Sequence, residues 1–237
     1  LTPRTRALLL VNPNNPTGNY IGADDLDALA RLCAPRDIAV ISDEVFADYD
    51  LHPQSTDRRG VLAERTDLLG FTLGGLSKSI GLPQAKLGWM AVSGGDAIVR
   101  DTLSRLELVC DTYLSVSTPV QLAARELLKR GADVRRQIQS RVRTNLSTCA
   151  TLVARCPACT LLHAEGGWYA VIQVPRLVPE EELMLALLVE SLVLTHPGYF
   201  FDFPRESFVV VSLLAPEAAF ADGVTRLLDR FRIVGRA

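Results

Sequence analysis

Apolar runs and polar breaks alternate regularly through the first hundred or so residues. Ala7 to Val11 is a continuous apolar run ending at Asn12-Pro13, which predicts a buried strand. Ala23 to Ala34 carries apolar residues at Leu26, Leu29, Ala30 and Cys33, with Asp24 and Asp25 near its start, the pattern of an amphipathic helix. Ile38 to Ser42, Leu68 to Leu73 and Leu87 to Val92 predict further strands, and Asp96 to Tyr113 a helix. Strands separated by helices or long crossovers predict an α/β fold with a largely parallel sheet.

Beyond that the chain turns helical. Pro119 opens a long predicted helix that breaks near Gly131 and resumes through Arg155. The last third changes character. Leu161-Leu162, Tyr169 to Val174, Leu192 to Thr195 and Phe208 to Leu214 predict strands, and Pro179 to Glu190 and Pro216 to Phe231 predict helices. This is an α+β pattern for a second, smaller domain. The expected division is a large domain over 1–115, connecting helices to about 158, and a small domain over 159–237.

Composition narrows the partners. The 237 residues are 48% hydrophobic and 22% charged with a net charge of −2, which excludes a wholly disordered chain. No basic stripe suits nucleic acid, and no run is long and apolar enough to span a membrane. Of the 25 basic residues only Lys78, Lys86 and Lys129 are lysines. The first residue is Leu, no signal segment follows it, and the expectation is a piece of a longer protein. Five cysteines cannot all pair, so reduced thiols and a cytoplasmic location are expected. Cys156-Pro-Ala-Cys159 has the spacing of a redox pair or half a zinc site. It follows a helical stretch and lacks a regular second pair, so small buried or loop thiols and no metal are expected.

Three polar residues each follow a predicted strand: Asn15, Asp43 and Lys78. In a parallel sheet the carboxyl ends of the strands share one edge, where ligands bind, so an amide, a carboxylate and an amine are expected to converge there. Asn12-Pro13-Asn14-Asn15-Pro16-Thr17-Gly18 is a rigid turn that would hold the Asn15 amide. Asp43 would want a cationic partner, and Lys78 follows a glycine pair, Gly74-Gly75, that allows close approach. A P-loop, a Ser-x-x-Lys motif and a Gly-x-Ser-x-Gly elbow all fail here for want of the required residues.

Asn15-Pro16-Thr17-Gly18, Asp43-Glu44-Val45, and Ser77-Lys78-x-x-Gly81-Leu82-Pro83 with Gly88-Trp89 resemble, in order and spacing, the successive motifs of the class I/II aminotransferases. These are pyridoxal-phosphate enzymes of fold type I, and the resemblance runs along the whole chain. It implies that Lys78 forms the Schiff base with the cofactor and shuttles the proton. Asp43 would pair with the pyridinium nitrogen, Asn15 would bond the ring's 3-oxygen, and Lys86 would contact the phosphate where the family usually has an Arg. The implied reaction transfers an amino group from an amino donor to an oxo-acid acceptor, within a homodimer. It further implies that about 150 residues precede the Asn motif in the parent protein, with the turn that wraps the phosphate among them. The 237 residues alone are then expected to bind cofactor weakly and not to turn over.

The departures from the family pattern bear on substrate. Phe46 stands where many members have a Tyr bonding the 3-oxygen, and Gly75 replaces a Ser or Thr that usually touches the phosphate. Lys86 offers a point charge in place of a bidentate fork. By the resemblance, Val210 occupies the place of the Arg that clamps the substrate α-carboxylate, so either another arginine substitutes, with Arg205 as the candidate, or the substrate is not held by an α-carboxylate. His52, His163 and His196 are read as surface or packing residues. Gly166-Gly167-Trp168-Tyr169 resembles the strand that faces substrate, and it equally fits a plain strand with aromatic packing. Two other readings stay open at this level: a lyase, racemase or decarboxylase on the same fold, and a non-catalytic aminotransferase-like binding module.

Overall fold

In the computed structural model, which describes residues 1–52 and 59–232, the first apolar runs form one sheet. Its strands are β1 (Ala7–Val11), β2 (Ala39–Asp43), β3 (Gly70–Gly75) and β4 (Gly88–Ser93), in that spatial order. β1, β2 and β3 are parallel, and β4 runs antiparallel to β3. The mostly parallel α/β sheet expected from the pattern is therefore present, with one antiparallel edge strand. The β3–β4 connection holds only the short helix α2 (Leu76–Ser79) and a turn, too little chain for a parallel crossover.

The chain divides into two compact units, Leu1–Asn14 with Tyr20–Arg136, and Asn15–Asn19 with Gln137–Ala237. In the first, α1 (Ala23–Cys33) covers one face of the sheet. Leu26, Ala30 and Cys33 pack with Ile38, Val40, Leu62 and Leu68 into a buried cluster. A fully buried leucine contributes roughly 2 kcal/mol, so this cluster seats α1 against β2 and the chain that leads into β3. The opposite face carries Leu9, Ile41, Phe71 and Val92 in one register row and Val11, Asp43, Leu73 and Met90 in the next. It is open: Leu9 is 68% exposed and Met90 44%. Helix α3 (Asp96–Tyr113) has no buried residue.

Helix α4 (Thr118–Val153) is continuous through Gly131, where the composition predicts a break. The glycine serves packing instead: a Cβ there would lie 2.5 Å from the Ile80 side chain, so its absence lets α4 approach the chain just after α2. The C-terminal part of α4 contributes Val142, Leu146, Cys149 and Val153, all buried, to the second unit.

That unit holds a second sheet of β5 (Thr160–Leu161), β6 (Tyr169–Gln173), β7 (His196–Pro197) and β8 (Phe208–Ser212), in the order β5-β6-β8-β7 and antiparallel throughout. Helices α5 (Glu180–Ser191) and α6 (Glu217–Arg232) complete the α+β pattern. The predicted strand over Leu192 to Thr195 is displaced to His196–Pro197. Leu192 takes a left-handed conformation (φ 53°) to close α5, and its N–H and that of Val193 both return to the Leu187 carbonyl, so those residues belong to the helix cap. Among the described residues no helix is long and apolar enough to cross a membrane.

Candidate active site

The sheet register decides which strand ends meet. Val11, Asp43 and Leu73 are consecutive partners across β1, β2 and β3. The chain leaves the strands in step: the Asn12 N–H donates to the Asp43 carbonyl at 2.8 Å and the Glu44 N–H to the Leu73 carbonyl at 3.0 Å. Asp43 and Lys78 therefore follow neighbouring parallel strands at one carboxyl edge. The strand period puts Asp43 on the open face with Ile41, whereas Ser42, 1% exposed, points to the covered core.

The Asp43 carboxylate accepts the Val45 N–H at 3.1 Å. Its neighbour Glu44 turns back, accepting the Ser42 hydroxyl at 2.9 Å and reaching the Asn12 side-chain amide at 3.5 Å. Burial pushes the Glu44 carboxyl above its ordinary range, the Ser42 and Asn12 contacts oppose this, and the Asp43 charge adds to the rise. Asn12 is itself buried and accepts the Ile21 N–H at 3.0 Å, so the Asn12–Pro13 corner is a fixed support.

Lys78 is half-buried on α2, with its Nζ 5.7 Å from the centroid of the Phe46 ring. The glycine pair before it does allow close approach, and what approaches is the adjacent strand. A Cβ at Gly74 would meet the Trp89 indole at 2.5 Å, so Gly74 makes room for a side chain of the adjacent strand. Lys86 is exposed, in a left-handed conformation (φ 52°), on the turn into β4.

Asn15 and Arg205 belong to the second unit. The Asn15–Asn19 turn is tied there through Gly18, whose carbonyl accepts the Glu165 and Gly166 N–H groups at 3.0 and 2.8 Å. Gly18 has φ +76°, and a Cβ on it would lie 2.6 Å from the Gly166 carbonyl oxygen, so only glycine fits. Asn15 is exposed. Arg205 is exposed, its guanidinium 5.6 Å from the Phe208 ring centroid. Val210 is fully buried, in a cluster with Val171, Phe208, Tyr169, Phe201 and Phe203. Its place is apolar, and no substrate carboxylate could be paired there.

A model of class I and II aminotransferases matches residues 1–219. The chain belongs to that family. Among curated relatives, the glutamate-pyruvate aminotransferase AlaA of Escherichia coli K12 is 24% identical over 220 residues, covering 90% of this chain and 54% of that protein. An alanine aminotransferase of Mycobacterium tuberculosis is 25% identical over 236 residues, covering 96% and 54%. In fold, the tyrosine aminotransferase of Leishmania infantum superposes with a TM-score of 0.84 at 21% identity, over 98% of this chain and 58% of that one. The aminotransferase chain described here thus spans about half the length of the curated relatives it matches.

Aminotransferases of this class use pyridoxal phosphate, and the donors present suit it: a carboxylate on an open sheet face and a primary amine on the turn after the next strand. Among the described residues no group of three or more His, Cys, Asp or Glu is placed to hold a metal ion. The Cys156 and Cys159 sulfurs lie 3.6 Å apart, buried, and burial pushes the Cys159 thiol up to about 12. The sequence reading missed the contacts behind Lys78. The Tyr49 hydroxyl donates to the Lys78 carbonyl at 2.5 Å, and the Ser79 hydroxyl to Asp48 at 2.6 Å. Nothing in the local pattern pairs positions 48 and 49 with 78 and 79; the available signal was a tyrosine just beyond the Asp43 motif.

Proposed function

We propose that the protein carrying this chain is a pyridoxal-phosphate-dependent aminotransferase moving an amino group between an amino acid and a 2-oxo acid. The observation that supports it most is the placing of Asp43 and Lys78 at one carboxyl edge of adjacent parallel strands, with Asp43 on the open face. When bound, the cofactor supplies an electron sink for the carbanion left at the substrate Cα. Asp43 holds a proton at the ring nitrogen. Lys78 is the amine that tethers the cofactor, and it carries the proton from the substrate Cα during transfer. By the family resemblance, the Asn15 amide would bond the ring 3-oxygen and Lys86 would offer its charge to the phosphate.

The buried, apolar setting of Val210 favours a substrate whose carboxylate is held elsewhere. A charge-assisted bidentate contact is missing at that place. Arg205 is the proposed substitute, and aspartate and glutamate are expected to be poor donors. The protein is proposed to work as a homodimer. A cytoplasmic setting is supported by its five cysteines, all free thiols.

Supplying the full-length protein with cofactor, a panel of amino acids and 2-oxo acids, and following amino transfer by mass spectrometry tests the reading. Transfer that is lost in Lys78→Ala and falls by orders of magnitude in Asp43→Ala supports it. Decarboxylation, racemisation or elimination without amino transfer would replace it with a lyase or racemase reading. Efficient turnover of aspartate or glutamate that Arg205→Ala leaves unchanged would contradict the substrate proposal.

A further inference from the structure

The helix that carries Lys78 is a single turn, Leu76–Ser79. One turn fixes several dihedral angles for one hydrogen bond and does not hold itself in water, so its orientation must be imposed from outside. The strand side does part of this: the Leu76 N–H donates to the Leu87 carbonyl at 3.0 Å and the Leu82 N–H returns to the Leu76 carbonyl at 3.1 Å. The remaining restraint comes from the segment after Asp43. Tyr49 is fully buried, and its hydroxyl donates to the Lys78 carbonyl at 2.5 Å and stands 3.3 Å from the Ser79 carbonyl. Both are carbonyls at the end of the helix, beyond the reach of intrahelical donors, and the Lys78 carbonyl also takes the Gly81 N–H at 3.3 Å. Asp48 takes the Ser79 hydroxyl on one oxygen and Arg135 of α4 on the other, each at 2.6 Å. The close approach of Gly131 to Ile80 brings α4 against the same turn.

We propose that Tyr49, Asp48, Ser79 and Arg135 form a positioning cluster that fixes the lysine-bearing turn, and with it the direction in which Lys78 presents its amine. The inference rests on the function proposed above. Packing alone would be met by phenylalanine; the hydroxyl adds a bond to the backbone of the lysine itself. Tyr49 lies six residues beyond Asp43, the last residue of β2, so one short stretch of chain carries the carboxylate and braces the amine. The Tyr49 hydroxyl stays protonated and able to donate, because burial, reinforced by the charge of Asp48 and opposed by that of Arg135, raises its pKa well above the usual tyrosine range.

Tyr49→Phe in the full-length protein removes the hydroxyl and keeps the ring. The expected result is kcat lowered about tenfold with KM within about twofold, since small misplacements of a reacting group act on the chemical step. The circular dichroism of the lysine-bound cofactor band is expected to weaken, and amide hydrogen exchange at Ile80 and Gly81 to speed up even without cofactor. Ser79→Ala, which cuts only the Asp48 link, is expected to give a smaller change in the same direction and serves if Tyr49→Phe does not fold. Lower thermal stability with kcat, dichroism and exchange all unchanged would overturn the proposal and leave Tyr49 a packing residue. Absent amino transfer in the unaltered protein would instead count against the function, while the exchange measurement still tests the cluster.

Discussion

The Lys78 amine faces the Phe46 ring at 5.7 Å, and Phe46 lies one turn beyond Asp43 on the same segment. The face nearest the amine therefore offers a π surface where a tyrosine would offer a phenol. A phenol donating to the cofactor's 3-oxygen would stabilise its anionic form and favour loss of the proton from the lysine-bound cofactor. Phe46→Tyr is expected to lower that pKa by about one unit, read from a visible absorbance titration. An unchanged or raised value would show that position 46 does not address the 3-oxygen.

The loop bearing Arg205 hangs on one buried carboxylate. Glu180, 2% exposed, accepts the Ser207 and Phe208 N–H groups at 2.7 and 2.9 Å and the Tyr199 N–H at 3.2 Å. Glu180→Ala leaves those donors without that acceptor and is expected to cost about 3 kcal/mol, measured by urea denaturation. Glu180→Gln keeps one acceptor oxygen and is expected to cost less.

Gly18→Ala is expected to destabilise the second unit by about 2 kcal/mol, through the strained positive φ and the clash with Gly166. Amide exchange at Glu165 and Gly166, whose N–H groups bond the Gly18 carbonyl, is the direct readout. It is expected to rise in the variant.

Burial pushes the thiols of Cys149 and Cys159 up to about 12 each, with the neighbouring Cys156 adding to the shift at Cys159. A raised folded-state value means the native protein holds these protons more tightly than the unfolded chain. The stability they contribute is complete below the ordinary thiol pKa and is lost as pH climbs from about 9 toward 12. Cys149→Ala is expected to flatten that alkaline decline in a melting-temperature series. At neutral pH, iodoacetamide is expected to modify the exposed Cys110 first.

The sequence made the strand-end chemistry legible because apolar runs and their polar ends are local features. Ala7–Val11 and the helix Asp96–Tyr113 fall where the periodicity puts them, and Asp43 and Lys78 follow adjacent strands. Positions whose role is set by distant neighbours were not legible. Gly131 looks like a breaker until Ile80 is seen against it, and the close approach that Gly74 permits has no visible partner until Trp89 is seen on it. Leu192 to Thr195 has strand composition, yet Leu192 and Val193 close a helix. Tyr49 carries no local sign that its hydroxyl ends on the lysine's own carbonyl.

Lys78 is proposed as the amine that holds the cofactor. Treating the full-length protein with pyridoxal phosphate, reducing with borohydride and mapping the modified peptide tests it directly. The expected result is one stoichiometric phosphopyridoxyl group on Lys78, lost when an amino donor is added before reduction, and none in Lys78→Ala. A label at Lys86 or Lys129 in its place, or undiminished labelling in Lys78→Ala, would contradict it.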